Sequence, residues 1–191
     1  MSVDISDIAQ ENYQYAVHLA TFQNIISYEN GIFEIADISP KINHFEVVDF
    51  WRNISLCAEV LFKASLLKHH IPFFKKRANY EYGEKVTALN NEWLNKTLTR
   101  LEIHYVAEIN TSTITTVLKY AERNFFDKIA FDTQKSKLIT QMFYIIVRTR
   151  RNRNSHFFFP NQSYINIREI EVLFLPLLNL LEELYEFKED N

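Results

Sequence analysis

Two glycines in 191 residues, Gly31 and Gly83, constrain this chain more than any other feature. Glycine supplies the positive-φ positions of tight hairpins. An all-β protein needs many such turns, so the scarcity points to an all-α fold. It also removes function classes. A phosphate-cradling loop or a dinucleotide fingerprint needs clustered glycines, and these two lie far apart. The apolar fraction of 47%, with 15% aromatics, is enough for a packed core. The length fits one domain.

The apolar periodicity predicts six helices. Residues 4–28 carry Ile5, Ile8, Tyr13, Ala16, Val17, Ala20 and Ile25 at helical spacing, with Asn30-Gly31 as the stop. Residues 32–38 (IFEIADI) read as one strand or an extended loop. The segment 46–71 is the clearest helix: Phe50, Ile54, Cys57, Ala58, Leu61, Phe62 and Leu66 recur at three and four, and Pro72 stops it. Further helices are expected over 84–108, 113–130, 135–154 and 163–188, with Pro176 kinking the last. The expected architecture is a helical bundle.

Cys57 is the only cysteine, which excludes an intrachain disulfide or a thiolate zinc cluster. Its place in an apolar helical run makes it core filler. The first residues lack a basic stretch followed by an apolar one, so no signal peptide is expected. No run reaches the about 18 apolar residues of a membrane span. These readings predict a soluble, cytoplasmic protein with no membrane partner. His69-His70 lacks the spacing of metal ligands, because adjacent helical residues diverge by about 100°. No metal and no cofactor are expected.

The chain carries a net charge of −3, yet Arg148, Arg150, Arg151 and Arg153 fall within six residues. His156, the run Phe157–Phe159 and Pro160 follow. A solvated helix C-terminus accounts for one or two cations near its dipole. It accounts less well for four arginines beside a histidine. On a continuous helix Arg151 and His156 stand about 140° apart around the axis. A helix ending near Asn154 would let the chain turn His156 back toward Arg151. Histidine moves protons near neutral pH, and arginine forks onto phosphate oxygens. Together they suit attack of an RNA 2′-hydroxyl on the adjacent phosphorus, without a metal.

Arg151-Asn152-x-x-x-His156 resembles the Arg-x(4–6)-His motif of the HEPN superfamily, in its Arg-Asn form. CAEVLFKASLLKHHI, at 57–71, is similar to that family's first core helix. The resemblance covers about residues 46–75 and 135–188. It leaves 1–45 as an N-terminal extension and 80–130 as a helical insertion of a single HEPN-like domain.

The resemblance implies a homodimeric, metal-independent endoribonuclease that leaves a 2′,3′-cyclic phosphate. It implies catalytic roles for Arg151 and His156, with Asn152 in support. The setting implied is phage defence or toxin–antitoxin, with an antitoxin or defence-system protein as a further partner. The alternative is a non-catalytic HEPN module that binds RNA or nucleotide, or serves as a dimeric scaffold. Arg150 with His156 also fits the spacing, but Arg151 is preferred because Asn152 follows it.

Candidate RNA contacts are Arg148, Arg150, Arg153, Lys75, Lys76 and Arg77; for the last three, a wet basic helix end is the competing reading. Phe157–Phe159 read as a loop pinned into the core or a dimer interface, or as base-stacking rings. Glu59 reads as the i,i+4 partner of Lys63, or as an acid pointing into the cleft. Some HEPN toxins carry a modified tyrosine two residues after the histidine. That position is Phe158 here, so such control is not expected.

Overall fold

A computed structural model describes residues 2–36, 43–71, 74–76, 100–102, 109–111, 114–147, 150 and 164–187. It is mostly helical. Helix α1 spans Ile5–Thr21 and α2 His44–Lys68; α3 spans Ile114–Asn124 and α4 Thr133–Ile146. The last helix, α5 (167–186), is built from Ile167–Glu169, the π-turn Ile170–Phe174 and Leu175–Glu186.

Local chemistry starts these helices where they start. Asp4 accepts from the Ser6 N–H, and Asp132 from those of Gln134 and Lys135. Asn43 and Glu46 form a full capping box on α2, each side chain bonding the other's backbone. Gln23 donates to the Glu46 carbonyl at 2.6 Å and so ties the turn after α1 to the start of α2.

Helix α2 is the axis of the core. Phe50, Trp51, Ile54, Cys57, Ala58, Leu61, Phe62, Ala64, Leu66 and Leu67 are all buried, a stripe too wide for a surface helix. It packs against α1 on one side and α5 on another. Its Phe62 ring meets Phe126 and Phe143, which brings in the segments around α3 and α4. Residues expected as an extension and an insertion join this same core, through Ile5, Ala9, Ala16, Leu19 and Phe33, and through Ile114, Val117, Leu118 and Phe125.

The strands correct the sequence reading in two places. The helix predicted over 4–28 stops at Thr21, and Asn24 takes φ 56° in the turn that follows. Strand β2, Ile26–Glu29, then pairs antiparallel with β3, Ile32–Ile35. Asn30 and Gly31 have φ 52° and 81°, the two positive-φ positions of a two-residue hairpin turn. Asn-Gly therefore turns a hairpin, not a helix end. The predicted helix 84–108 is likewise interrupted: Arg100–Glu102 is a strand, β5, antiparallel to β1, Ser2–Asp4. Residues 77–99 and 103–108 lie outside the described residues. A third ladder joins β4, Phe74–Lys76, to β6, Ile109–Thr111.

At Pro176 α5 carries a π-turn. Proline cannot accommodate the carbonyl four residues back. The helix meets it with the π-turn, where the Leu175 N–H reaches the Ile170 carbonyl. Helix α2 ends in a Schellman motif: His70 N–H bonds the Leu67 carbonyl and Ile71 N–H the Leu66 carbonyl, both at 2.8 Å. His70 takes the left-handed position, at φ 57°.

Two stability predictions follow from this packing. Leu61→Ala empties a site with no solvent exposure and is expected to cost about 3 kcal/mol in chemical denaturation. Ala130, exposed and at φ 51°, carries left-handed strain that glycine lacks. Ala130→Gly is expected to stabilise by about 0.5–1 kcal/mol in the same measurement.

Candidate functional site

The sequence-predicted motif, from Arg151 onward, follows α4 in the chain. Of the candidate residues, Arg151, Asn152, His156, Arg148, Arg153 and Arg77 lie outside the described residues, as do Phe157–Phe159. Lys75 and Lys76 fall in β4, opposite Asn110 and Ile109. Arg150 and Glu59 are described in full.

Arg150 is clasped rather than presented. Its Nε donates to Glu169 Oε1 at 2.7 Å, and its Nη2 pairs with the other carboxylate oxygen. The side chains of Arg150 and Glu169 are 13% and 20% exposed. The guanidinium carbon also lies 3.8 Å from the centroid of the Trp51 ring. The planar cation is therefore forked on an acid and stacked on an indole at once, an arrangement lysine cannot reproduce. Trp51 in turn donates its Nε1–H to the Tyr164 carbonyl at 3.3 Å. Residues 150 and 164 flank the motif, and both are fastened to the same buried tryptophan.

Glu59 is paired with Lys63 at 2.7 Å, both side chains under one-fifth exposed, as the i,i+4 spacing predicts. His69 packs on Phe125 and Phe187, with its Nε2 3.1 Å from the Leu184 carbonyl. The histidine pair thus closes α2. Among the described residues no group of three or more His, Cys, Asp or Glu side chains is placed to hold a metal, and no helix is long and apolar enough to cross a membrane.

A second polar cluster was missed by sequence reasoning. Glu182 on α5 is 5% exposed. Its Oε1 lies within hydrogen-bond distance of the hydroxyls of Tyr13 on α1, at 2.8 Å, and Tyr28 on β2, at 2.7 Å. Those two hydroxyls also hydrogen-bond each other. Oε2 is buried with no hydrogen-bond partner. Burial raises the Glu182 pKa above the ordinary carboxylate range, against the lowering effect of the tyrosine bonds. Burial likewise pushes Tyr28 up to about 12 and Tyr13 further up, and it raises the Cys57 thiol. The sequence held one signal. Glu182 falls on the apolar stripe of α5, four residues after Leu178 and beside Leu181 and Tyr185. The tyrosines are distant in the chain and carry no local signal.

Comparison with known proteins finds no counterpart: no family model, no curated protein and no solved structure matches the chain.

The Arg150 clasp makes a stability prediction. Glu169→Gln leaves a largely buried guanidinium without its counter-charge. It is expected to cost about 2 kcal/mol. The double variant Arg150→Met/Glu169→Met is expected to cost less than Glu169→Gln alone. A double-mutant cycle by urea denaturation checks both.

Proposed function

We propose that the chain is a HEPN-type endoribonuclease that cleaves RNA without a metal and leaves a 2′,3′-cyclic phosphate. The observation that carries this reading is the sequence Arg151-Asn152-x-x-x-His156 itself. Arg150 sharpens it. Two arginines satisfy the motif spacing, and the Arg150 fork is already spent on Glu169, with its face on Trp51. This favours Arg151 as the motif arginine, with Arg150 as a fastening.

In the proposed reaction His156 takes the proton of the RNA 2′-hydroxyl as it attacks the adjacent phosphorus. Arg151 stabilises the negative charge that builds on the phosphorane oxygens. Asn152 supports the pair. As the 2′-oxygen–phosphorus bond forms, the phosphorus–5′-oxygen bond breaks, the 5′-oxygen takes up a proton from water while His156 returns its own to water, and the cyclic phosphate remains. Arg148, Arg153, Lys75, Lys76 and Arg77 would add sequence-independent attraction for the phosphate chain. Two copies would face one cleft as a homodimer, in a defence or toxin–antitoxin setting.

The test is cleavage of a mixed-sequence RNA in EDTA by wild type, Arg151→Ala, His156→Ala and Arg150→Met. The wild type is expected to cut, with Arg151→Ala and His156→Ala each reduced at least about a hundredfold. Arg150→Met is expected to keep activity in proportion to its folded fraction. Folded, dimeric wild type without cleavage would support the non-catalytic scaffold instead. Loss of activity in fully folded Arg150→Met, with Arg151→Ala active, would move the motif by one residue.

A further inference from the structure

We propose that Glu182 is carried as a neutral carboxylic acid whose proton closes a ring of three hydrogen bonds with the Tyr13 and Tyr28 hydroxyls, forming a pH-sensitive latch between α1, the β2–β3 hairpin and α5. The argument begins with a proton count. Three oxygens (Tyr13 Oη, Tyr28 Oη and Glu182 Oε1) make three mutual contacts. With an ionised carboxylate, only the two hydroxyl protons are available. Both would point at Oε1, and the Tyr13–Tyr28 contact would set two lone pairs against each other. A proton on Oε1 removes the conflict. Each oxygen then donates once and accepts once, around the ring.

Oε2 supports the same state. It is buried and has no donor. As half of a carboxylate it would carry charge with nothing to oppose it. As the carbonyl of a neutral acid it is only an unsatisfied acceptor, a far smaller cost.

The surrounding charges do not reverse this. Helix α1 contributes Tyr13, and β2 contributes Tyr28, both neutral at physiological pH. From α2 come the Cys57 thiol, held neutral by burial, and Lys68. The Lys68 ammonium is engaged elsewhere, 3.2 Å from Glu186 and 4.0 Å above the Tyr185 ring. Helix α5 itself adds Tyr185, and Glu186, whose charge further disfavours an anion at Glu182. The Tyr13 ring stacks on Tyr185 at 4.2 Å and holds its hydroxyl in place.

The latch has a direction. A carboxyl whose folded pKa is raised contributes stability fully below its unfolded value. That contribution is lost as pH rises through the folded value. Deprotonation therefore opens the ring on the alkaline side. The hairpin keeps a second tether that does not titrate. Asn179 on α5 accepts from the Phe33 N–H at 2.8 Å and donates to the Phe33 carbonyl at 3.1 Å. Opening thus frees Tyr13 and Tyr28 while Phe33 stays fastened.

Infrared difference spectroscopy of the full chain tests this, read first on wild type alone. At neutral pH wild type is expected to show the carbonyl band of a buried protonated carboxyl. The band is expected to vanish as pH rises, and to be missing from Glu182→Gln. From the ordinary carboxylate range up to that titration, the wild-type unfolding constant is expected to rise up to about tenfold per pH unit, and above it to level off. Glu182→Gln is expected to lack that rise. No acid band in wild type at neutral pH would overturn the proposal. A band whose titration leaves wild-type stability flat would overturn the latch. Should Glu182→Gln not fold, Tyr28→Phe serves: breaking the ring must shift the acid band, and an unshifted band would overturn the ring.

Discussion

The breadth of the buried face of α2 is the constraint on which the rest depends. A helix that buries only a narrow stripe needs one partner. From Phe50 to Leu67 the α2 surface is apolar over most of its circumference. Water must be excluded from several sides at once. That requirement recruits α1, α5 and the Phe126 and Phe143 segments, because no single neighbour could cover it. Both ends of α2 satisfy orphaned backbone groups with protein groups, through the capping box at Asn43 and the Schellman motif at His70.

Trp51 shows how this core reaches the proposed site. One face of its ring carries the Arg150 guanidinium, and its indole N–H holds the Tyr164 carbonyl. Phe50 and Phe174 pack around it. The chain thus leaves and re-enters the described core at one rigid aromatic group. A catalytic pair needs its supporting shell fixed more tightly than a surface loop is fixed.

What the sequence made legible follows from the range of each interaction. Strong helical stripes were readable: 46–71 and 135–154 appear as α2 and α4 within a few residues over their described parts, and Pro176 marked a real distortion. The Glu59–Lys63 pair was readable because it is local. The hairpin was misread because Ile25 fits a helical stripe as well as it fits the lead into a strand, and because Asn-Gly serves both as a helix stop and as a two-residue turn. Only the partner strand decides between them. The Arg150 clasp joins residues 51, 150, 164 and 169, and the Glu182 ring joins 13, 28 and 182. Neither has a spacing to read. The motif reading at Arg151, Asn152 and His156 rests on sequence pattern.

Scarce glycine has a structural consequence of its own. Left-handed backbone positions are still required, and among the described residues four are filled by Asn24, Asn30, His70 and Ala130, against one by Gly31. Asparagine accepts that geometry at modest cost, whereas alanine and histidine carry strain of about 1–2 kcal/mol. Both strained residues sit just past helical segments whose apolar faces are fully committed. At His70 the flanking Leu66, Leu67 and Ile71 pack into the core, and at Ala130 so do Phe126, Ile129 and Phe131. Burial of those side chains outweighs the backbone strain. Glycine was therefore not needed to make either turn, which is how a chain with so few glycines still closes its helices abruptly. The helical reading of the composition holds, but for a reason beyond hairpin count: packing, and not backbone freedom, sets where these segments end.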